Sequence, residues 1–279
     1  MKIIADTALE QFQAYLYEAE KSANTIEKYL RDVSFFRRWL AGRFLDKPVV
    51  IEYKQALCKQ YAPASVNSML SSLNAFFVFM NWHAFKVKTL RIQKQIFADQ
   101  EKELTKAEYN RLLTAAQARK NQRLYYLMQT IGSTGIRVSE LQYITCEAVL
   151  TGRAAIRCKG KLRQVFLPRQ LCGMLRAYAK RQKIHSGPIF ISKNGQPLDR
   201  SNIWKMLKQI CEAAHVSKEK VFPHNFRHLF ARTFYAVQKD IVRLADILGH
   251  TNVNTTRIYT IETGTIHVRQ LQKLGLLRC

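Results

Sequence analysis

Apolar residues recur every three to four positions through residues 1–90, which is the period of helices buried along one face. Four such segments follow one another without a strand pattern between them, and Thr7 with Glu10 forms a capping box at the first. They predict a small all-α bundle over residues 1–90. The two clearest stripes are Ile26, Tyr29, Leu30, Val33, Phe36 and Leu40, then Val66, Met69, Leu70, Leu73, Phe76, Phe77 and Met80.

The helical period is lost after this bundle. Residues 91–104 read R-I-Q-K-Q-I-F-A-D-Q-E-K-E-L, with no Gly or Pro to mark turns. We interpret this stretch as a basic interdomain linker. An edge strand with outward lysines is the alternative.

A second region, residues 105–279, combines helical segments with a few β-forming residues. Two runs of β-formers within residues 154–168 flank Lys159-Gly160-Lys161, which is typical of a hairpin. The pattern therefore predicts a mainly α fold with a small β-sheet: an α+β domain after an all-α domain. The predicted elements are helices at 105–117, 121–132, 169–183 and 199–214, and a short strand at 189–192.

Candidate chemistry is concentrated in residues 223–260. His224 and Arg227 are three residues apart and share a helix face. Asp240 and Gly249 read as the start and stop signals of a following helix, so His250 lies just beyond a helix end, and Tyr259 follows. Arg suits an anionic oxygen, His moves protons and Tyr can act as a nucleophile. The alternative is a set of ordinary amphipathic helices, with Tyr259 as a packed core residue.

The charge of the chain points to a polyanionic partner. The sequence has 45 Lys and Arg against 20 Asp and Glu, a net charge of +25. Nucleic acid is the simplest partner for such a field. An acidic membrane surface would instead favour one basic amphipathic face, whereas these basic residues are spread along the whole chain.

The six cysteines show neither C-x-x-C spacing nor a neighbouring His pattern, so they predict reduced thiols in a cytoplasmic protein and no structural zinc. We expect no signal peptide and no membrane span, because the chain has no long apolar run.

Four stretches in order resemble the motifs of the tyrosine recombinases, the family of phage integrases and Xer-type site-specific recombinases. They are G-S-T-G-I-R-V-S-E-L, K-G-K-L-R-Q-V-F-L-P, P-H-N-F-R-H and L-G-H-T-N-V-N-T-T-R-I-Y-T. The resemblance implies a helical, SAM-like core-binding domain (1–90), the linker (91–104) and a catalytic domain with a C-terminal tail (105–279).

The resemblance also implies a role for each matching residue. Arg137 and Arg227 correspond to two arginines that clamp the scissile phosphate, and Glu140 to an acidic residue that orients the first. His224 corresponds to a proton-shuttling residue, His250 to a hydrogen-bond donor to the phosphate, and Tyr259 to the nucleophile. Without the resemblance, Arg137 reads as a surface ion pair with Glu140.

The hairpin offers two candidates for the general acid. Lys159 matches the lysine of the family when the motif is anchored from its N-terminal side, and anchoring from Pro168 shifts the register toward Lys161.

The implied activity is cleavage and rejoining of double-stranded DNA through a 3′-phosphotyrosine, with no metal or ATP. The implied assembly is a homotetramer on DNA, held by the tail from Gly264 onward, which could instead dock on its own catalytic domain. A type IB topoisomerase and an inactive DNA-binding regulator are the competing functions.

Overall fold

A computed structural model describes residues 2, 4–92, 100–158 and 161–259. The chain divides into two compact units, Met1–Lys94 and Gln95–Cys279. Each unit has its own apolar core.

The first unit is a bundle of four helices around an aromatic core. Phe12, Phe36, Phe76 and Phe77 are fully buried, and the rings of Phe12 and Phe76 meet edge to face with centroids 5.2 Å apart. The predicted capping box at Thr7 is wrong, because the first helix already begins at Asp6 without a side-chain cap. The helices are α1 (Asp6–Glu18), α2 (Ala23–Leu40), α3 (Lys47–Gln60) and α4 (Pro63–Phe79).

The second unit packs helices around a two-stranded sheet. The predicted capping box at Thr105 and Glu108 is present at its first helix. The helices are α5 (Lys106–Ala118), α6 (Gln122–Thr134), α7 (Cys146–Thr151), α8 (Arg169–Arg181), α9 (Arg200–Ile210), α10 (Pro223–Gln238) and α11 (Ile241–Leu248).

The predicted hairpin is an antiparallel pair, β1 (Arg153–Cys158) and β2 (Lys161–Phe166), with Arg153 opposite Phe166 and Ile156 opposite Arg163. Alternation along β2 buries Val165 and leaves Leu162 and Phe166 exposed. The predicted strand at 189–192 is wrong: Ile191 makes one isolated bridge to Pro197, and no strand forms there.

The last described residues, 240–259, pack α11 and the turn that carries Tyr259 against α10. Asp240 caps α11 by accepting the Arg243 amide hydrogen, and Gly249 ends it with a φ of 65°, as the pattern predicts. Two 3-10 turns follow, Val253–Thr255 and Arg257–Tyr259.

The predicted fold class, mainly α with a small β-sheet after an all-α domain, is confirmed. Among the described residues, no helix has both the length and the apolar character needed to cross a bilayer.

Candidate active site

Arg227 is the buried centre of the site. It lies on α10 with 1% of its surface exposed. Its Nη1 donates to the Gly135 carbonyl at 2.7 Å, and its Nη2 donates to the Leu248 carbonyl at 2.8 Å. Its Nε atom is buried with no hydrogen-bond partner among the described residues. A guanidinium already held in place by two backbone carbonyls is suited to binding an anion, because its donors are fixed in direction.

Arg137 reaches the same place from the turn after α6. It caps a 3-10 turn (Val138–Tyr143), and its Nη1 donates to Glu140 Oε1 at 3.0 Å. Its Nη2 lies 3.5 Å from the Gly249 carbonyl. Glu140 is buried, whereas 41% of the Arg137 side chain is exposed. This guanidinium is therefore both held by a carboxylate and open to a ligand.

The hydrogen bonds of His250 determine which of its nitrogens carries the proton. Its Nε2 lies 2.9 Å from Arg227 Nη2, and its Nδ1 lies 2.8 Å from Thr256 Oγ1. A guanidinium can only donate, so Nε2 is the acceptor. In the neutral ring the proton is therefore on Nδ1, and Nδ1 donates to Thr256.

This state differs from the donor role that the resemblance implies for His250. Burial, and then the charges of Arg227, Arg137 and Arg163, lower the pKa of His250 to about 4. The ring is thus neutral at pH 7, with Nε2 occupied as an acceptor. Donation from Nε2 to an anion requires that the bond from Arg227 break and that the ring either gain a proton or move its proton from Nδ1 to Nε2, and an incoming negative charge favours a gained proton.

Tyr259 completes the cluster from the second 3-10 turn. It is 4% exposed and packs with Ala231, Leu244 and Leu248. Its ring stacks on His250 with centroids 6.0 Å apart. Burial, and then the charge of Arg137, lower the pKa of Arg227 to about 10, and Tyr259 acts in the opposite direction. The phenol therefore lies beside the buried guanidinium, as well as being a core residue.

His224 and His228 lie one helical turn apart on α10, and their ring centroids are 4.5 Å apart. The His228 ring in turn meets the Tyr259 ring edge to face at 4.8 Å. His228 thus lies between His224 and Tyr259. Its Nε2 is buried without a partner among the described residues, and burial, then His224 and Arg227, lower its pKa to about 4. Loss of water contact, followed by the charges of Arg227 and Arg137, also lowers the pKa of His224.

The structure therefore brings together five residues singled out in the sequence: Arg137, His224, Arg227, His250 and Tyr259. Lys159 lies outside the described residues, as does the tail from Gly264 onward. The side chain of Lys161 is likewise not described, so the choice between the two lysines stays open.

The polar side chains that contact the site without a predicted role include His228, Thr256 and Arg163. Helical spacing could have identified His228, which is four residues after His224 on the same face. No local signal marks Thr256, because its role depends on a partner that the tertiary fold positions. Arg163 lies within the hairpin motif K-G-K-L-R-Q-V-F-L-P, but its partners Glu140 and Ile247 are set by the tertiary fold. Across the described residues, no group of three or more His, Cys, Asp or Glu side chains is arranged to hold a metal ion.

Two family models match the chain. The model of the phage integrase family matches residues 102–264, and that of the phage integrase N-terminal SAM-like domain matches residues 9–83. The first alone covers more than half of the chain.

Similar proteins support the same family. Tyrosine recombinase XerA from Thermococcus kodakarensis is 30% identical over 280 residues, which cover 96% of this chain and 95% of the relative. The fold is similar to XerH recombinase in a pre-cleavage complex with difH (TM-score 0.70, 19% identity, covering 96% of this chain and 85% of the other). It is also similar to a lambda integrase tetramer on a Holliday junction (TM-score 0.70, 18% identity, covering 91% and 76%). This chain therefore belongs to the phage integrase family of tyrosine recombinases, as shown by the family model that matches more than half of it and by a relative 30% identical over nearly its full length.

Proposed function

We propose that this recombinase cleaves and rejoins double-stranded DNA through a covalent 3′-phosphate link to Tyr259, with no metal ion or nucleotide cofactor. The observation that carries the proposal is the contact between groups far apart in sequence: Arg227 touches His250, His250 stacks on Tyr259, and Arg137 approaches Gly249. The relatives that were solved on DNA support double-stranded DNA as the substrate.

The electrostatics of the cluster suit a phosphodiester. Two guanidinium groups lie close enough for the charge of Arg137 to lower the pKa of Arg227, with Glu140 acting in the opposite direction. A phosphodiester gains negative charge as a nucleophile attacks, and guanidinium groups already in place stabilise that charge. The unmatched Nε of Arg227 and the exposed part of Arg137 are the donors we assign to the non-bridging oxygens.

The chemical step conserves the phosphodiester bond energy. The Tyr259 oxygen bonds to phosphorus, and the bond from phosphorus to the 5′ oxygen breaks. The phenol proton passes to His224, our candidate acceptor, by way of the neutral His228 ring that lies between the two, and the leaving 5′ oxygen takes a proton from Lys159. Attack by a 5′ hydroxyl of another strand reverses the step and frees Tyr259, so no external energy source is needed.

We assign the core-binding role to residues 1–90, the linker to 91–104 and catalysis to 105–279. The net charge of +25 supports contacts with DNA along much of the chain. A homotetramer on DNA, joined by the tail from Gly264, is our proposed assembly. It predicts that removing the tail weakens recombination more than binding to one half-site.

Tyr259→Phe tests the proposal directly. A DNA substrate nicked just beyond the cleavage point traps the covalent complex, which migrates slowly on a denaturing gel. We expect the native protein to become attached to a 3′ phosphate in the presence of EDTA and without ATP, and Tyr259→Phe to bind DNA but form no adduct. Tyr235→Phe is the matched control, since Tyr235 belongs to the same apolar cluster. An adduct from Tyr259→Phe, or attachment to a 5′ end, would remove Tyr259 from the mechanism.

A further inference from the structure

Arg163 places a charge on the inner side of the hairpin. It lies on β2 between the exposed residues Leu162 and Gln164, and 18% of its side chain is exposed. A charge in such a position requires partners, because burial removes its water. Its Nη2 donates to Glu140 Oε2 at 2.6 Å, and its Nη1 donates to the Ile247 carbonyl at 2.6 Å.

The first of these bonds connects Arg163 to Arg137. Glu140 accepts from the Arg137 side chain at Oε1 and from the Arg137 backbone amide at Oε2, at 3.0 and 2.7 Å. One buried carboxylate is therefore shared by two arginines. Arg163 holds the carboxylate in place, and the carboxylate orients the half-exposed Arg137 guanidinium.

The second bond connects Arg163 to the segment that carries His250. Ile247 is in the last turn of α11, where carbonyls lack helical partners, and Arg163 satisfies one of them. The Arg163 side chain also packs against Gly249: a Cβ atom at that position would lie 2.5 Å from Arg163 Cδ. The φ of 65° favours glycine at this position, and the close approach of Arg163 leaves no room for a side chain. His250 is the next residue.

Arg163 thus joins β2, the turn that bears Arg137 and the turn that bears His250. We infer that Arg163 is a positioning residue for the cleavage reaction, which acts by fixing Glu140 and Gly249 rather than by contacting DNA. This inference rests on the proposed function, since it concerns the geometry of the same site.

The test is a double-mutant cycle on the rate of adduct formation at saturating DNA. Arg163→Met keeps the length of the side chain and removes both hydrogen bonds. We expect it to slow adduct formation by about 10²-fold, because the donors to the phosphate lose their alignment, while the apparent Kd for DNA changes by less than about 3-fold. Arg153→Met is the matched control, since Arg153 is an exposed arginine of the same hairpin; we expect it to leave the rate unchanged.

The cycle separates positioning from a general structural effect. If Arg163 acts through Arg137 and His250, the Arg163→Met change should cost at least about 5-fold less in an Arg137→Ala or a His250→Ala background than in the native protein. A loss of about 10²-fold in the native protein and in both backgrounds, or a native rate in the single variant, would overturn the inference. If Arg163→Met does not fold, Arg163→Lys replaces it, because lysine keeps the charge and can reach one acceptor. The adduct-formation rates are then measured in the same backgrounds and judged by the same criteria. Absence of an adduct in the native protein would count against the proposed function instead.

Discussion

The protonation of His250 leads to a prediction about Thr256. Replacing Thr256 with valine removes one hydroxyl and keeps the branched shape of the side chain. Thr256 has no exposed surface, and its Oγ1 lies 2.8 Å from His250 Nδ1. Because Arg227 donates to the other ring nitrogen, the Nδ1–H bond depends on this hydroxyl for its acceptor.

The structure sets the size of the effect. A buried N–H group that loses its acceptor costs about 1–3 kcal/mol. The proton could move to Nε2, but Nε2 would then face the Arg227 donor at 2.9 Å, so the cost would remain. We therefore expect the free energy of unfolding to fall by about 1–3 kcal/mol. If the same cost appears in the transition state, adduct formation slows by roughly 5- to 160-fold.

The assay combines urea unfolding with adduct formation on the nicked substrate. Thr255→Val is the matched control, because it makes the same chemical change at the neighbouring, exposed residue. We expect Thr255→Val to change the free energy of unfolding by less than about 0.5 kcal/mol and to leave the rate unchanged.

The reasoning fails if Thr256→Val has native stability and a native rate. That result would mean that the hydroxyl does not hold Nδ1–H, and the assignment of the proton to Nδ1 would be wrong. Equal losses in Thr256→Val and Thr255→Val would point to the 3-10 turn itself rather than to the hydrogen bond.

Three further predictions follow from the site and from the charge. Arg227→Ala should slow adduct formation at least ~10²-fold. It should also lower the free energy of unfolding by about 2–6 kcal/mol, because it leaves two buried carbonyls without donors. Native stability in urea unfolding would contradict the second expectation. Folding lowers the pKa values of His228 and His250 to about 4, so as the pH falls these histidines are protonated in the unfolded state before the folded state. The free energy of unfolding should therefore be full above about pH 6.5 and fall toward pH 4, by up to ~1.4 kcal/mol per pH unit per histidine. His228→Gln should reduce this slope in urea unfolding measured between about pH 6.5 and pH 4, and an unchanged slope would count against the shift. DNA affinity should fall with salt at a log–log slope of roughly −7 if about eight phosphates are contacted, and a slope near zero in a salt titration would refute extensive phosphate contact.

Local patterns in the sequence determined most of the secondary structure. The period of apolar residues and the caps at Thr105, Asp240 and Gly249 act over one or two helical turns, so they can be read directly from the chain. The same locality explains the errors. Thr7 carries a capping pattern, but the helix begins one residue earlier. Residues 189–192 favour a strand, but their backbone bonds to residues 196–198 amount to one isolated bridge, opposite Pro197, and not to a strand.

The candidate site was visible in the sequence as a set of residue types, and the resemblance to a family gave each a role. Only the tertiary structure decided how those residues interact. Arg227 and Gly135 are 92 residues apart, and Arg163 and Ile247 are 84 apart, yet each pair is hydrogen-bonded. The sharing of Glu140 with Arg163 and the donation from Arg227 to His250 each join residues 23 positions apart. Hydrogen bonds and desolvation act through space over a few ångströms, so no local spacing along the chain encodes them.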